Sequence, residues 1–338
     1  MKKGILIILF GLSCLGILLA GGQKEDGSTE GTRESSNASS AGEPAVLKAA
    51  LLTSGPINDG GWNTHAYEGL VALRDNYGFE INNTELVEQS AHKSLLRNYA
   101  RKGYNLIIGH GYEYGEALME VAPEFPEVAF YQVGGIAEGE NLGSAVFASG
   151  NLSYMIAKLA ANFTKTNKIG FVGAMEVPTI AYDVEVIKKF VPEFNPDSTV
   201  SVTFTGSWTD INKGKEAALA QINQGVDVII ANGDACDYGA IKAAEEAGAY
   251  VIGMAGDFYE MAPDVILTSG IQSVTELIIN QGKALAAGSW EAVHLDVGVE
   301  VPLQCMGTWS SIVPEALRNE IMADQAAIIA GTLIPELP

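Results

Sequence analysis

From residue 45 onward, short and almost wholly apolar runs alternate with stretches whose apolar positions recur every three to four residues. The run 45–53 (AVLKAALLT) predicts a buried strand, and 65–77, with Ala66, Leu70, Val71 and Leu73 on one stripe, predicts a helix. The alternation continues with strands over 79–87, 105–108 and 128–133 and helices over 94–102 and 115–122. Further strands are expected over 168–172, 199–205, 227–231 and 249–254, separated by helical patterns. Apolar strands without polar alternation, each followed by an amphipathic helix, imply parallel sheets covered on both faces. The chain also echoes itself. GYNLII at 103–108 and GVDVII at 225–230 each lead into a Gly-containing turn, a helix and another apolar strand. Both place small and polar residues just past the strand: Gly109, His110, Gly111 and Tyr112 in one, Asn232, Gly233 and Asp234 in the other. In open α/β sheets ligands sit beyond the carboxyl ends of the strands. Two similar lobes therefore point to one ligand held between them.

Before this pattern stands Met1-Lys2-Lys3 and an apolar run from Gly4 to Ala20, the plan of an export signal over 1–22. Gly22 stands where a lipoprotein signal would carry cysteine, so ordinary cleavage suits the site better than lipid attachment. Residues 23–44 are mostly small, polar and charged, which predicts a disordered acidic linker. The expected location is outside the cytoplasm, in the periplasm or on the outer face of the cytoplasmic membrane. A net charge of -21 from 41 acidic and 20 basic residues argues against nucleic acid as a partner. Cys236 and Cys305, the only cysteines beyond Cys14, read as free semi-buried residues.

The run 54–63 (SGPINDGGWN) joins the first strand to the first helix. It lacks the Lys-Ser/Thr ending of a phosphate loop and the glycine spacing of a dinucleotide site. Trp62 can offer a flat face to a ring while Asp59 and Asn63 hydrogen-bond its edge; the alternative is a helix cap with Trp62 packed on its own lobe. The run 173–183 (GAMEVPTIAYD) is its counterpart in the second half, with Tyr182 opening a helix. Trp62 and Tyr182 could thus clamp a planar ligand. Asp59, Asp210, Asp234, Asp237 and Asp257 lie near strand ends, where a carboxylate can accept both hydroxyls of a ribose or simply cap a helix. No cofactor, metal or catalytic role is expected: His65, His92, His110 and His294 lack metal-ligand spacing, and no nucleophile elbow occurs. His110, at a strand end, is kept as a binding candidate.

Together with GSWTDINKGKE at 206–216, LTS at 267–269 and IIAGTLIP at 328–335, these features resemble the basic membrane protein family. Its members are the purine nucleoside receptor A-like substrate-binding proteins of ABC importers. The resemblance implies a type I periplasmic-binding fold, two doubly wound parallel-sheet α/β lobes linked by three crossovers. The lobes would comprise 45–148 plus about 270–303, and 149–269 plus about 304–338. It implies a purine nucleoside or nucleobase clamped between aromatics, delivery to an ABC permease, and a monomeric, non-enzymatic receptor. By motif position Asp59, Trp62 and Asn63 fall at the first-lobe base site, Tyr182 at the second-lobe aromatic, and Trp208 and Asp210 in the G-S-[FW]-x-D loop. Asp257 falls near the family's late aspartate, although Ala255 stands where that acid is usual. Gln272 replaces a basic residue common after the T-S pair, and His110-Gly111-Tyr112 replaces a Gly-Phe-type loop. A sugar or autoinducer receptor of the same fold and a secreted nucleoside hydrolase are the alternatives.

Overall fold

A computed structural model describes residues 46–338. The expected signal and linker, 1–22 and 23–44, lie outside these residues.

Two six-stranded sheets organise the chain. The first contains β1 (Lys48–Thr53), β2 (Glu80–Thr84), β3 (Leu106–His110), β4 (Ala129–Val133), β5 (Leu142–Phe147) and β11 (His294–Val297). The second contains β6 (Lys168–Gly173), β7 (Thr199–Phe204), β8 (Val228–Asn232), β9 (Tyr250–Ala255), β10 (Ile266–Gln272) and β12 (Gln304–Met306). Their orders are β11-β5-β4-β3-β1-β2 and β12-β10-β9-β8-β6-β7, so each strand of one sheet has a counterpart at the same place in the other. All pairings are parallel except β10 with β12. The echoed runs 103–108 and 225–230 become β3 and β8, third in chain order within their lobes.

The unbroken apolar strands follow from burial on both faces. In the first lobe Ala49 and Leu51 of β1 face α1 (Trp62–Tyr77) and α8 (Val274–Ala286), through Leu70, Leu73, Leu277 and Ile278. The alternate residues Ala50 and Leu52 pack with Leu96 of α2 (His92–Arg101) and Leu118 of α3 (Gly115–Val121). The second lobe repeats this arrangement. Ile169, Phe171, Val228 and Ile230 face α4 (Gly150–Phe163), α5 (Pro178–Phe194) and α9 (Glu315–Ile329). Val172, Ile229 and Ala231 face α6 (Ile211–Ile222) and α7 (Ala235–Ala247).

The chain passes from one sheet to the other three times: between β5 and α4, between β10 and α8, and between β11 and β12. The expected two-lobed α/β architecture is therefore present. Four strands, β5, β10, β11 and β12, are additional to those the hydrophobic pattern predicts. The last two have four and three residues, too few for any periodicity to register. Helix α5 begins one turn earlier than expected, on Pro178, whose ring and missing N–H suit a first helical position. Cys236 and Cys305 are free.

Candidate functional site

The lobes meet at the carboxyl ends of their strands. From the first lobe comes the 54–63 loop, made rigid by one carboxylate. Asp59 accepts the N–H groups of Gly61 (2.9 Å), Asn63 (3.2 Å) and Thr64 (3.0 Å), the Asn63 side-chain amide (2.7 Å) and the Thr64 hydroxyl (2.9 Å). Burial raises its pKa, but these hydrogen bonds outweigh burial and hold it below the usual carboxylate value. Asp59 thus caps α1, and the Asn63 side-chain amide, in the first turn, steadies its carboxylate.

The cap fixes Trp62 at the first helical position. The Trp62 indole stacks on His110, with ring centroids 4.5 Å apart and planes 26° from parallel, and meets Phe147 edge-on at 6.1 Å. His110 sits at the end of β3 with Nε2 3.0 Å from the Trp62 carbonyl, which can only accept, so Nε2 carries the proton. Burial pushes this imidazole down to about 3, against the Trp62 carbonyl and the charge of Asp59. It is a neutral platform for the indole.

From the second lobe, Asp234 follows β8 with φ 51°, in the left-handed region that non-glycine residues seldom occupy. Its Oδ1 accepts the Trp62 N–H across the lobe junction at 3.4 Å. Burial pushes Asp234 up to about 7, with the charge of Asp59 adding and the Trp62 N–H opposing. Tyr238, one turn along α7, donates its hydroxyl to the Gly60 carbonyl at 2.8 Å. Gly256, after β9, lies so close to His65 of α1 that a Cβ there would be 2.8 Å from the imidazole.

Two cavities open along this junction. One, about 240 Å³, is lined by Val146, Phe147 and Ala148 at the end of β5, by Ser149, and by Pro178, Thr179 and Tyr182 of α5. The other, about 330 Å³, lies between Pro56, Asn58, Asp59 and Gly60 on one side and Thr209, Ile211, Ala235 and Tyr238 on the other. Neither is lined by a lysine or arginine.

The remaining candidates divide clearly. Tyr182 and Phe147 both line the first cavity, whereas Trp62 packs on its own lobe against His110 and the edge of Phe147 and lines neither cavity, so Trp62 and Tyr182 do not face each other as a direct pair. Tyr112 is 70% exposed and Trp208 37% exposed, each on its own loop. Asp210 accepts the N–H groups of Asn212 and Lys213 and caps α6. Asp257 is exposed and accepts the N–H groups of Tyr259 (3.2 Å) and Thr308 (2.9 Å), tying β9 to the segment after β12. Gln272 ends β10, paired with Gln304. Buried Asp237 reaches back toward Gly233 at the start of α7, and one of its oxygens has no partner. Burial raises it well above the usual range, against the Gly233 N–H and with the charge of Asp234 adding. Among the described residues no group of three His, Cys, Asp or Glu side chains is arranged to hold a metal.

The sequence pattern passed over Phe147, Tyr238 and Asp183. Asp183 is buried behind Tyr182 and accepts the hydroxyls of Ser149 and Ser153 (2.8 Å) and the Asn232 amide (3.3 Å), joining the first crossing, α4, α5 and β8. Burial pushes it up to about 6, against both serine hydroxyls. A carboxyl raised on folding favours the folded form while protonated, and that contribution fades as pH climbs from about 4 to 6. Asp183→Asn, permanently neutral, should therefore gain on the wild type in melting temperature across this interval by about 3 °C or more. Thermal scans at pH 4.5, 5.5, 6.5 and 7.5 check this; a constant difference would mean an ordinary aspartate.

Two lobes crossed three times by one chain, with rings and acids on facing rims, leave cavities along their junction of a size that suits a small solute. An ABC transporter solute-binding protein from Aeropyrum pernix K1 has the same fold, with a TM-score of 0.79 at 20% identity over 86% of this chain and 94% of that one. Residues 46–332 match the family described as ABC transporter substrate-binding protein, PnrA-like, and the chain belongs to that family. It is 28% identical to a purine-binding protein of Brucella abortus over 86% of this chain and 83% of that one. It is 26% identical, over 91% of this chain and 78% of the other, to a Haloferax volcanii protein whose name provisionally assigns it glucose. Members of this family are extracytoplasmic receptors, not enzymes, and deliver small molecules to a membrane permease. No helix among the described residues is long and apolar enough to cross a membrane.

Proposed function

We propose that this protein captures a purine nucleoside, or the free base, between its lobes and presents the closed form to an ABC permease. The observation that carries this is the run of rings along the junction. Trp62 leads to Phe147, which shares a cavity of about 240 Å³ with Tyr182 of the other lobe. Flat apolar faces with hydroxyls at the edge, from Ser149 and Thr179, suit a neutral heterocycle. The absence of lysine and arginine from both linings disfavours a phosphorylated ligand. The purine-binding Brucella relative points the same way. Binding then shifts the lobes toward closure by differential affinity, with no chemical turnover.

A sugar is the second reading, favoured by the name of the Haloferax relative and by the fact that aromatic faces also stack on pyranose rings. Calorimetric titration with adenosine, guanosine, inosine, hypoxanthine and glucose separates the two. Saturable binding of at least one purine, with a negative heat-capacity change, is expected. Binding of glucose alone would replace the purine assignment. Chromatography after prolonged incubation with inosine should show no released base.

A further inference from the structure

We propose that Tyr238 and Asp234, at the start of α7, form a two-point latch on the Gly60-Gly61-Trp62 turn that holds the lobes closed.

An α-helix leaves the N–H groups of its first turn without intrahelical partners. In α1 the first helical bond runs from the His65 N–H to the Gly61 carbonyl, so Trp62, Asn63 and Thr64 need other acceptors. Asp59 takes Asn63 and Thr64, and Gly61 as well, entirely within the first lobe. Trp62 alone is left over, and its acceptor is Asp234 of the other lobe. Two residues back, the Gly60 carbonyl receives the Tyr238 hydroxyl. The turn therefore offers one donor and one acceptor to the second lobe, and Asp234, just before α7, and Tyr238, on α7, meet them with an acceptor and a donor.

The fit leaves no slack. A Cβ on Gly60 would fall 1.9 Å from the Tyr238 hydroxyl oxygen, and one on Gly61 would fall 3.0 Å from Asp234 Oδ1. Gly60 has φ 72°, a conformation that suits glycine. The turn is preset besides: the Gly60 N–H donates to Thr64 Oγ1 at 2.7 Å, and that hydroxyl donates to Asp59. Tyr238 is held against the second-lobe core by an edge contact with Phe258, centroids 5.9 Å apart. Both sides are rigid before they meet, so little conformational entropy is lost on closing. Opening the lobes breaks both hydrogen bonds and leaves the intralobe cap intact. The latch acts on closure whatever the guest, so it stands apart from the purine proposal.

Amide hydrogen exchange of the full chain, followed by NMR residue by residue, tests this without requiring a known ligand. The Trp62 amide should be protected in the wild type. Tyr238→Phe removes one hydroxyl and keeps the ring; Asp234→Gly removes the carboxyl and relieves the positive φ. Each should speed Trp62 exchange about two- to tenfold, while the Asn63 and Thr64 amides, held by Asp59, exchange as before. Asp234→Asn retains a carbonyl acceptor at a φ that asparagine tolerates, and should restore protection. An unprotected Trp62 amide in the wild type, or exchange indifferent to Tyr238→Phe, overturns the latch. Addition of inosine should slow Trp62 exchange further; failure of that arm alone counts against the purine and leaves the latch standing.

Discussion

Gly239→Ala should destabilise the protein by about 3 kcal/mol or more, the upper end for overpacked cores. Helices α6 and α7 cross on two glycines. A Cβ on Gly239 would stand 1.9 Å from the Ile211 carbonyl oxygen and 2.6 Å from the Lys215 nitrogen. One on Gly214 would stand 2.1 Å from the Cys236 carbonyl oxygen. These obstacles are backbone, not side-chain ends that could swing aside, so the two helices must separate. Separation opens the core that Ala218, Ala240 and Ala244 fill against Val172 and Ile229. Alanine's better helix propensity returns about 1 kcal/mol, less than the loss. Gly214→Ala should behave alike, and urea unfolding measures both. An unchanged midpoint would mean that the helices do not approach so closely. Because Asp234 immediately precedes α7 and Tyr238 lies on it, whatever folded Gly239→Ala protein remains should also bind ligand more weakly.

Trp62→Ala should weaken inosine binding by about 2–3 kcal/mol, or about thirty- to a hundred-and-fiftyfold, on the purine assignment. The indole is the largest ring at the junction, is half-buried, and is held flat by neutral His110 below and the edge of Phe147 beside it. A platform so fixed needs no ordering when a heterocycle arrives. Trp62→Phe keeps a stacking face and should stay within about tenfold of the wild type. Calorimetry reads the affinity and a thermal melt of the free protein shows whether the lobe survives the change. Unaltered affinity in Trp62→Ala would place the ring outside the site.

What could be read from the sequence follows from how far each signal reaches along the chain. Strands β1, β3, β4, β6, β8 and β9 announce themselves because burial on two faces makes them largely apolar, with polar residues mainly at their ends. The match between 103–108 and 225–230 survives because both must fill the same place in equivalent sheets. The site was legible only as types of residue near strand ends. Whether an aspartate there caps a helix or faces a guest depends on loop geometry that no spacing encodes. Asp210 and Asp59 turn out to be caps, whereas Asp234, placed by a positive φ, reaches the opposite lobe. Tyr238 lies one turn beyond Asp234 on an ordinary amphipathic helix, and only the partner loop reveals its purpose. Phe147 belongs to β5, whose glycine and serine interrupt its apolar run and hide it among loop residues.

The three crossings mean that the first sheet takes its helix α8 and edge strand β11 from beyond residue 270. Gly69 of α1 is shaped to receive Ile278, and Gly282 to receive Leu73. In a chain that emerges amino terminus first, residues 46–148 appear with this apolar flank bare, and the second lobe is nearly complete before the covering arrives. The half-built first lobe is thus the species most prone to aggregate during biogenesis. A gene fragment ending near residue 150 should yield insoluble protein, whereas one that splices 274–297 onto it through a short linker should recover a soluble lobe.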